Sequence, residues 1–282
     1  MVTHPIAKIN LGLNVVERRP DGYHNLETVF YPIPIQDVLE VNPQQPSYDS
    51  QQPTPDCDLT VTGIDILGDV QQNLVVRAYQ LLKHDYPTLP RVTARLDQVI
   101  PTHAGRGGGS SDCAYMSRLL NDLFRLGLTD DAMIAYAARL GADCAFFIKS
   151  TPCYAEGIGE RLEPISLDLS AWHIGIVRPD IPVPTRDAFR LIRPHRPQWP
   201  CREVVKEPVE TWRGRLVNDF EESVFALYPA IGRVKEQLYE MGATYAAMSG
   251  SGSALFGLFR ESPSHLSQTF PNMFTYSVTL SL

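Results

Sequence analysis

The densest chemistry in the sequence lies between Pro101 and Asp112, which reads Pro-Thr-His-Ala-Gly-Arg-Gly-Gly-Gly-Ser-Ser-Asp. Glycine has no Cβ, so the amides of Gly105, Gly107, Gly108 and Gly109 are free to converge on one point. Ser110, Ser111 and Asp112 are N-cap residue types. Beyond them Met116, Leu119, Leu120, Leu123 and Leu126 recur at helical spacing, with Gly127 as the stop. Bared amides ahead of a helix tip, which carries partial positive charge, make a cradle for phosphate oxygens. A flexible linker is the plainer reading, but a linker does not lead directly into a strongly periodic helix. The stretch is neither common nucleotide pattern. No lysine follows the glycines as a Walker loop requires, and the third glycine of G-x-G-x-x-G would fall on Ser110.

Three other places carry reactive or ligand-binding types. In Ala7–Val15, Ile9, Leu11, Leu13 and Val15 alternate with Lys8, Asn10, Gly12 and Asn14, giving a strand with one apolar face and one face of donors. Lys8 there is either a functional ammonium or a solvated lysine on an edge strand. Pro20-Asp21-Gly22 supplies turn chemistry, and Tyr23-His24 opens the return strand through Phe30. Met248-Ser-Gly-Ser-Gly-Ser253 is a second small-residue turn between strands, where backbones can approach a ligand or simply reverse.

The elements that must position these groups follow from patterning. A helix is predicted over Asn73–His84, a strand over Val92–Val99, and a second helix capped by Thr129-Asp130-Asp131 ends near Gly141. Ala145–Ile148 reads as a short buried strand. Asn42–Asp58, rich in Pro and Gln, reads as an exposed loop between strands. Later come a strand over Trp172–Val177, a loose stretch over Arg193–Pro208, and a helix from Pro229 to Met241. Strands on either side of the 248–253 turn and a last strand over Phe274–Leu280 complete a βαββ-like second half. The length of 282 residues suits one large domain or two, divided here as 1–155 and 156–282.

Composition bounds the function. Apolar residues make up 44 %, enough for a core, and the net charge of −7 argues against a nucleic-acid or anionic-membrane surface. No stretch approaches the roughly 18 apolar residues of a spanning helix. Five widely spaced cysteines with no C-x-x-C read as reduced thiols, so a cytoplasmic location is expected.

Taken together and in order, Ala7-Lys8-Ile9-Asn10-Leu11, Gly105–Asp112 and Met248–Ser253 resemble the three motifs of the GHMP kinases. Pro20-Asp21-Gly22-Tyr23-His24, Leu140-Gly141-Ala142-Asp143 and Ile181–Phe189 are similar to the branch whose acceptor is 4-diphosphocytidyl-2-C-methyl-D-erythritol. The resemblance covers nearly the whole chain. It implies a two-domain α+β fold, with an N-terminal ribosomal-protein-S5-domain-2-like domain and a C-terminal ferredoxin-like α/β sandwich. It also implies phosphorylation of the acceptor's 2-hydroxyl by ATP with Mg²⁺, giving the 2-phosphate and ADP on the methylerythritol phosphate route to isopentenyl diphosphate.

The expected partner is a small molecule with a cytidine diphosphate group, not nucleic acid or membrane, and the expected assembly a monomer or weak homodimer. Other acceptors of the same family, homoserine or mevalonate types, and a non-catalytic nucleotide binder are the alternatives. The resemblance places ATP on Pro101, Thr102, His103, Ala104, Gly105, Arg106, Gly107, Gly108, Gly109, Ser110 and Ser111, with Asn73 at adenine and Ser111 at Mg²⁺. It makes Lys8 and Asp143 catalytic, Asp143 orienting the acceptor hydroxyl and Lys8 beside it. A solvated helix-end aspartate is the plainer reading of Asp143. Asn10, Tyr23, His24, Thr185, Phe189, Gly250 and Ser251 become substrate residues, with Tyr23 and Phe189 sandwiching cytosine and His24 on its edge. Core packing is the alternative for the two rings, and a structural role for His24. The chain departs from the family pattern at Arg106 (usually leucine), His103 (glycine), Gln98 (lysine) and Cys144-Ala145 (Val-Pro).

Overall fold

The computed structural model describes residues 1–44, 55–63, 69–101 and 108–281. Its strands in chain order are β1 (Val2–Thr3), β2 (Ile6–Arg18), β3 (His24–Gln36), β4 (Val38–Pro43), β5 (Cys57–Gly63) and β6 (Val92–Gln98). They continue with β7 (Cys153–Gly157), β8 (Arg161–Pro164), β9 (His173–Arg178), β10 (Tyr245–Met248), β11 (Leu255–Phe259) and β12 (Phe274–Thr279). The helices are α1 (Leu74–Asp85), α2 (Gly108–Phe124), α3 (Asp130–Ala138), α4 (Phe146–Lys149) and α5 (Thr185–Ala188). After them come α6 (Cys201–Val204), α7 (Phe220–Leu227), α8 (Pro229–Glu240) and α9 (Leu266–Thr269).

The described residues form two compact units, one of 1–7, 35–101 and 108–150, the other of 8–34 and 151–281. The first carries the sheet β1-β4-β6-β5, in which β5 and β6 run parallel. Along β6 the period of two puts Val92, Ala94, Leu96 and Gln98 inward and Arg95 and Asp97 into solvent. The first unit's interior also takes Val75, Val76, Tyr79 and Leu82 of α1 and Met116, Leu119 and Leu120 of α2, and the two helices pack on each other. Asn73 caps α1, its Oδ1 accepting from the Val75 amide at 2.9 Å. Thr129 caps α3 as its residue type predicts.

The second unit holds two antiparallel sheets, β2-β3-β7-β8 and β10-β11-β9-β12. The latter has the connectivity strand, helices, two strands, helix, strand, which is the ferredoxin-like arrangement implied by the resemblance. Its core gathers Val177, Phe220, Val224, Ile231, Val234, Leu238, Met248 and Leu255. Pro229 begins α8, and Gly242, at φ +94°, takes the left-handed conformation that ends it.

Two local readings are corrected. Ala145–Ile148 is not a strand: Ala142–Ala145 turns and Phe146–Lys149 is a short helix. A four-residue apolar run has no period by which helix and strand can be told apart. The long helix begins at Gly108, so Ser110, Ser111 and Asp112 lie inside its first turns and not at its cap. Burial of Ser111 and Asp112, at 0 % and 1 % exposure, outweighs the poor helix propensity of the glycines before them. The loop expected over 42–58 is bounded by β4 and β5 at its two ends; residues 45–54 lie outside the described ones.

Gln98 introduces a measurable cost. Its side chain is 1 % exposed, and neither its Nε2 nor its Oε1 has a hydrogen-bond partner. Leaving such groups unpaired costs about 1–3 kcal/mol. Gln98→Met, similar in volume and apolar, is expected to raise unfolding stability in urea by about 1 kcal/mol or more. Lower stability would mean that the amide is satisfied in solution.

Candidate active site

In the first unit the site is built around the tip of α2. Gly109 and Ser110 are half-buried there, and Ser111 is fully buried with its Oγ unpartnered. Thr102 to Gly107 lie outside the described residues, as does the side-chain environment of Gly108; Pro101 is buried. The Ser110 hydroxyl hydrogen-bonds the Cys144 sulfur, and Cys144 is also bonded to Cys113 one turn along α2. Hydrogen bonding to Cys144, with burial, pushes the Cys113 thiol well up, so it remains the proton donor of the pair.

Gly141 packs closely at this junction: a Cβ there would stand 3.1 Å from the Cys144 Sγ and press on the sulfur. These contacts fix the Gly141–Ala145 turn against the first turn of α2. Asp143, half-buried in that turn, therefore sits beside the α2 tip and is not a helix-end residue in open solvent. Asn73 spends its Oδ1 on the α1 cap and is half-buried.

In the second unit, Lys8 is 2 % and Asn10 3 % exposed, which excludes a solvated surface lysine. Lys8 Nζ donates to Asn10 Oδ1 at 2.8 Å and lies 4.4 Å above the centre of the Phe30 ring. Asn10 Nδ2 donates to Thr28 Oγ1 at 3.0 Å, and Thr28 in turn donates to the Gly12 carbonyl at 2.5 Å. The Asn10 amide donates to Ser249 Oγ at 3.2 Å, which ties β2 to the 248–253 turn. Lys8, Asn10, Thr28 and Ser249 are thus linked in one buried hydrogen-bonded chain, which fixes the geometry of the ammonium.

Gly250 is buried and Ser251 half-buried in that turn. Asn218, which sequence reasoning did not single out, holds it: its Nδ2 donates at 2.8 Å to both Met248 O and Gly250 O. Its Oδ1 accepts from the Phe220 amide at the start of α7. An Asn-Asp pair directly ahead of a periodic helix was the available signal. Thr28 was likewise missed, since nothing local marks a strand threonine as the partner of Asn10.

The aromatic group is gathered in the second unit. His24 stacks on Phe189 with centroids 4.7 Å apart and planes at 23°, and Phe189 meets Phe220 edge-on at 4.7 Å. Tyr23 is 63 % exposed, so core packing is excluded for it; Thr185 is exposed. Burial, and after it the Arg18 charge, holds the His24 imidazole below its ordinary value. A neutral imidazole offers one donor and one acceptor, as pairing with a base edge requires.

Residues 73–151 match the family model of the GHMP kinases N terminal domain, and residues 206–273 that of GHMP kinases C terminal. A Bacteroides fragilis protein named 4-diphosphocytidyl-2-C-methyl-D-erythritol kinase is 49 % identical over 280 residues, 99 % of this chain and 100 % of its own. A protein of the same name from Solidesulfovibrio magneticus is 39 % identical over 266 residues, 90 % and 87 % of the two chains. A crystal structure of 4-(cytidine 5'-diphospho)-2C-methyl-D-erythritol kinase superposes with TM-score 0.79 at 30 % identity, covering 98 % of each chain. Homoserine kinase from Cytophaga hutchinsonii shares the fold at TM-score 0.66 and 16 % identity, covering 97 % of this chain and 93 % of that one. The chain belongs to the GHMP kinases, and within them to the family of the 4-diphosphocytidyl-2-C-methyl-D-erythritol kinases.

Proposed function

We propose that the protein transfers the γ-phosphoryl group of ATP to the 2-hydroxyl of 4-diphosphocytidyl-2-C-methyl-D-erythritol, giving the 2-phosphate and ADP. The observation that carries this is the hydrogen-bonded junction of Ser110, Cys144 and Cys113, which makes a carboxylate-bearing turn and a phosphate-binding helix tip neighbours. Phosphoryl transfer needs in-line placement and charge stabilisation more than covalent chemistry, and such a junction supplies placement.

In this reading the α2 tip and the glycines before it take the ATP phosphates, and Asn73 lies at adenine. Asp143 orients the acceptor hydroxyl and accepts its proton late, once bonding to phosphorus has made the proton acidic. Lys8, held by Asn10, counters the negative charge that builds on the transferred group. Gly250 and Ser251 face the acceptor's diphosphate, and Thr185 helps seat it.

The donor set fits Mg²⁺. Ser111 offers a buried, unpartnered hydroxyl, and among the described residues no cluster of three or more His, Cys, Asp or Glu side chains forms a dedicated cage. Mg²⁺ is commonly held by a few protein oxygens with phosphates and water, so Ser111 would hold it here. Bound there, the ion would neutralise phosphate charge.

Cytosine is the acceptor feature that the rings suit. Tyr23 and Phe189 provide faces, and His24 an edge partner. Homoserine and mevalonate carry no base to occupy them. Phe189→Ala is expected to raise the acceptor KM about tenfold or more, in line with the roughly 1–3 kcal/mol of a stacked base, and to leave the ATP KM within about twofold. A loss confined to kcat would argue against stacking. No helix among the described residues is long and apolar enough to cross a membrane. All five cysteines are free thiols, as a reducing cytoplasmic setting would keep them. The direct test is ³¹P NMR of the reaction mixture: a new phosphomonoester signal beside an intact diphosphate supports the reaction, and ATP consumption with no such signal contradicts it.

A further inference from the structure

Asp37, between β3 and β4, is 0 % exposed and takes no part in the chemistry above. Its Oδ1 accepts two backbone hydrogen bonds, from Val99 at 2.5 Å and Ile100 at 2.7 Å, the residues that follow β6 and lead to Pro101. Its own amide donates to Pro5 O at 2.9 Å, so the backbone bearing the carboxyl is itself pinned. The Asp37 side chain also hydrogen-bonds the side chain of Asp112, 1 % exposed in the first turns of α2. Asp37 Oδ2 and Asp112 Oδ1 have no donor among the neighbouring groups, as expected of two carboxyl groups that face each other across a proton. Desolvation comes first among the causes that raise both carboxyls above their ordinary range. The charge of Asp37 and its hydrogen bond push Asp112 up further, whereas the Ile100 and Val99 amides and the hydrogen bond from Asp112 draw Asp37 back down. Asp112 therefore keeps the proton and donates it to Asp37.

We propose that Asp37 is a positioning residue for ATP: one buried carboxyl fixes the exit of β6 through two amides and the tip of α2 through Asp112, so that it sets where Ser110 and Ser111 stand. This rests on the reading of the α2 tip as the phosphate site. Asp37 touches no substrate in it. Its effect passes through Asp112, next in sequence to Ser111, and through Ile100, next to Pro101. A carboxyl that served stability alone would have no preference between the two substrates. One that sets the α2 tip acts on ATP and spares the acceptor.

The test uses the full chain, with calorimetric titration of ATP in Mg²⁺ and steady-state kinetics in both substrates. Asp37→Ala is expected to raise the ATP Kd and KM about tenfold or more and to leave the acceptor KM within about twofold. Asp37→Asn is expected to restore the ATP values to within about threefold, because an amide accepts from Val99 and Ile100 through Oδ1 and donates to Asp112 through Nδ2. If Asp37→Ala does not fold, Asp112→Ala carries the test with the same expected split between substrates. A folded variant with unchanged ATP KM, or one in which both KM values rise equally, overturns the inference. Wild-type protein that binds no ATP would instead overturn the phosphate-site reading and this inference with it.

Discussion

Asp143→Ala is expected to lower kcat by about 10²- to 10⁴-fold and to leave ATP binding, followed by calorimetry, within about threefold. The effect should be large because the carboxylate is the group assigned to the acceptor hydroxyl, and an alcohol that is neither aligned nor relieved of its proton is a poor nucleophile. ATP binding should survive because the phosphates are held by amides at the α2 tip. The turn carrying Asp143 is anchored by the neighbouring Cys144, through Ser110 and Cys113. Asp143→Asn separates the two duties: it keeps the shape and loses the proton acceptor, so a residual rate above that of the alanine variant measures orientation alone. Equal loss of ATP binding and kcat would make Asp143 structural.

Lys8→Met is expected to lower kcat by about 10²- to 10³-fold, the usual cost of removing one preorganised charge-stabilising group. The fold should tolerate the change. Methionine fills the space over the Phe30 ring, where sulfur–aromatic contact is favourable. Asn10 Oδ1 keeps Ser249 Oγ as a donor at 3.4 Å, so that acceptor is not stranded. Unfolding stability within about 1 kcal/mol of wild type, together with the collapse of kcat, would place the loss in the transition state. A rate unchanged by Lys8→Met would remove Lys8 from the chemistry.

Much of the positioning was legible in the chain because it is local. The 7–30 hairpin announces itself through strict alternation and Pro-Asp-Gly, and α3 and α8 through their caps and stops. What was not legible depends on distant partners. The polar face of β2 reads equally well as exposed or buried until Thr28, 18 residues on, and Ser249, 239 residues on, close over Asn10. The His24–Phe189 stack unites two segments with no shared pattern. The glycine run reads as loop up to Ser110, yet the helix starts at Gly108 because burial of Ser111 and Asp112 decides what propensity would not. Asp37 is invisible for the same reason, and Asn218 shows only as a residue ahead of a helix: each holds backbone atoms 30 or more residues away. Phosphate, ammonium and carboxylate candidates were marked by residue type. Which polar residues hold them in place required coordinates.

The most direct measurement is kcat/KM, by ADP release, over four acceptors: 4-diphosphocytidyl-2-C-methyl-D-erythritol, homoserine, mevalonate and phosphomevalonate. The cytidylated acceptor is expected to exceed every other by at least about 10³-fold, because only it fills the Tyr23, His24 and Phe189 group. Turnover of any of the other three at a comparable or higher rate, with the cytidylated compound inert, would contradict the assigned reaction.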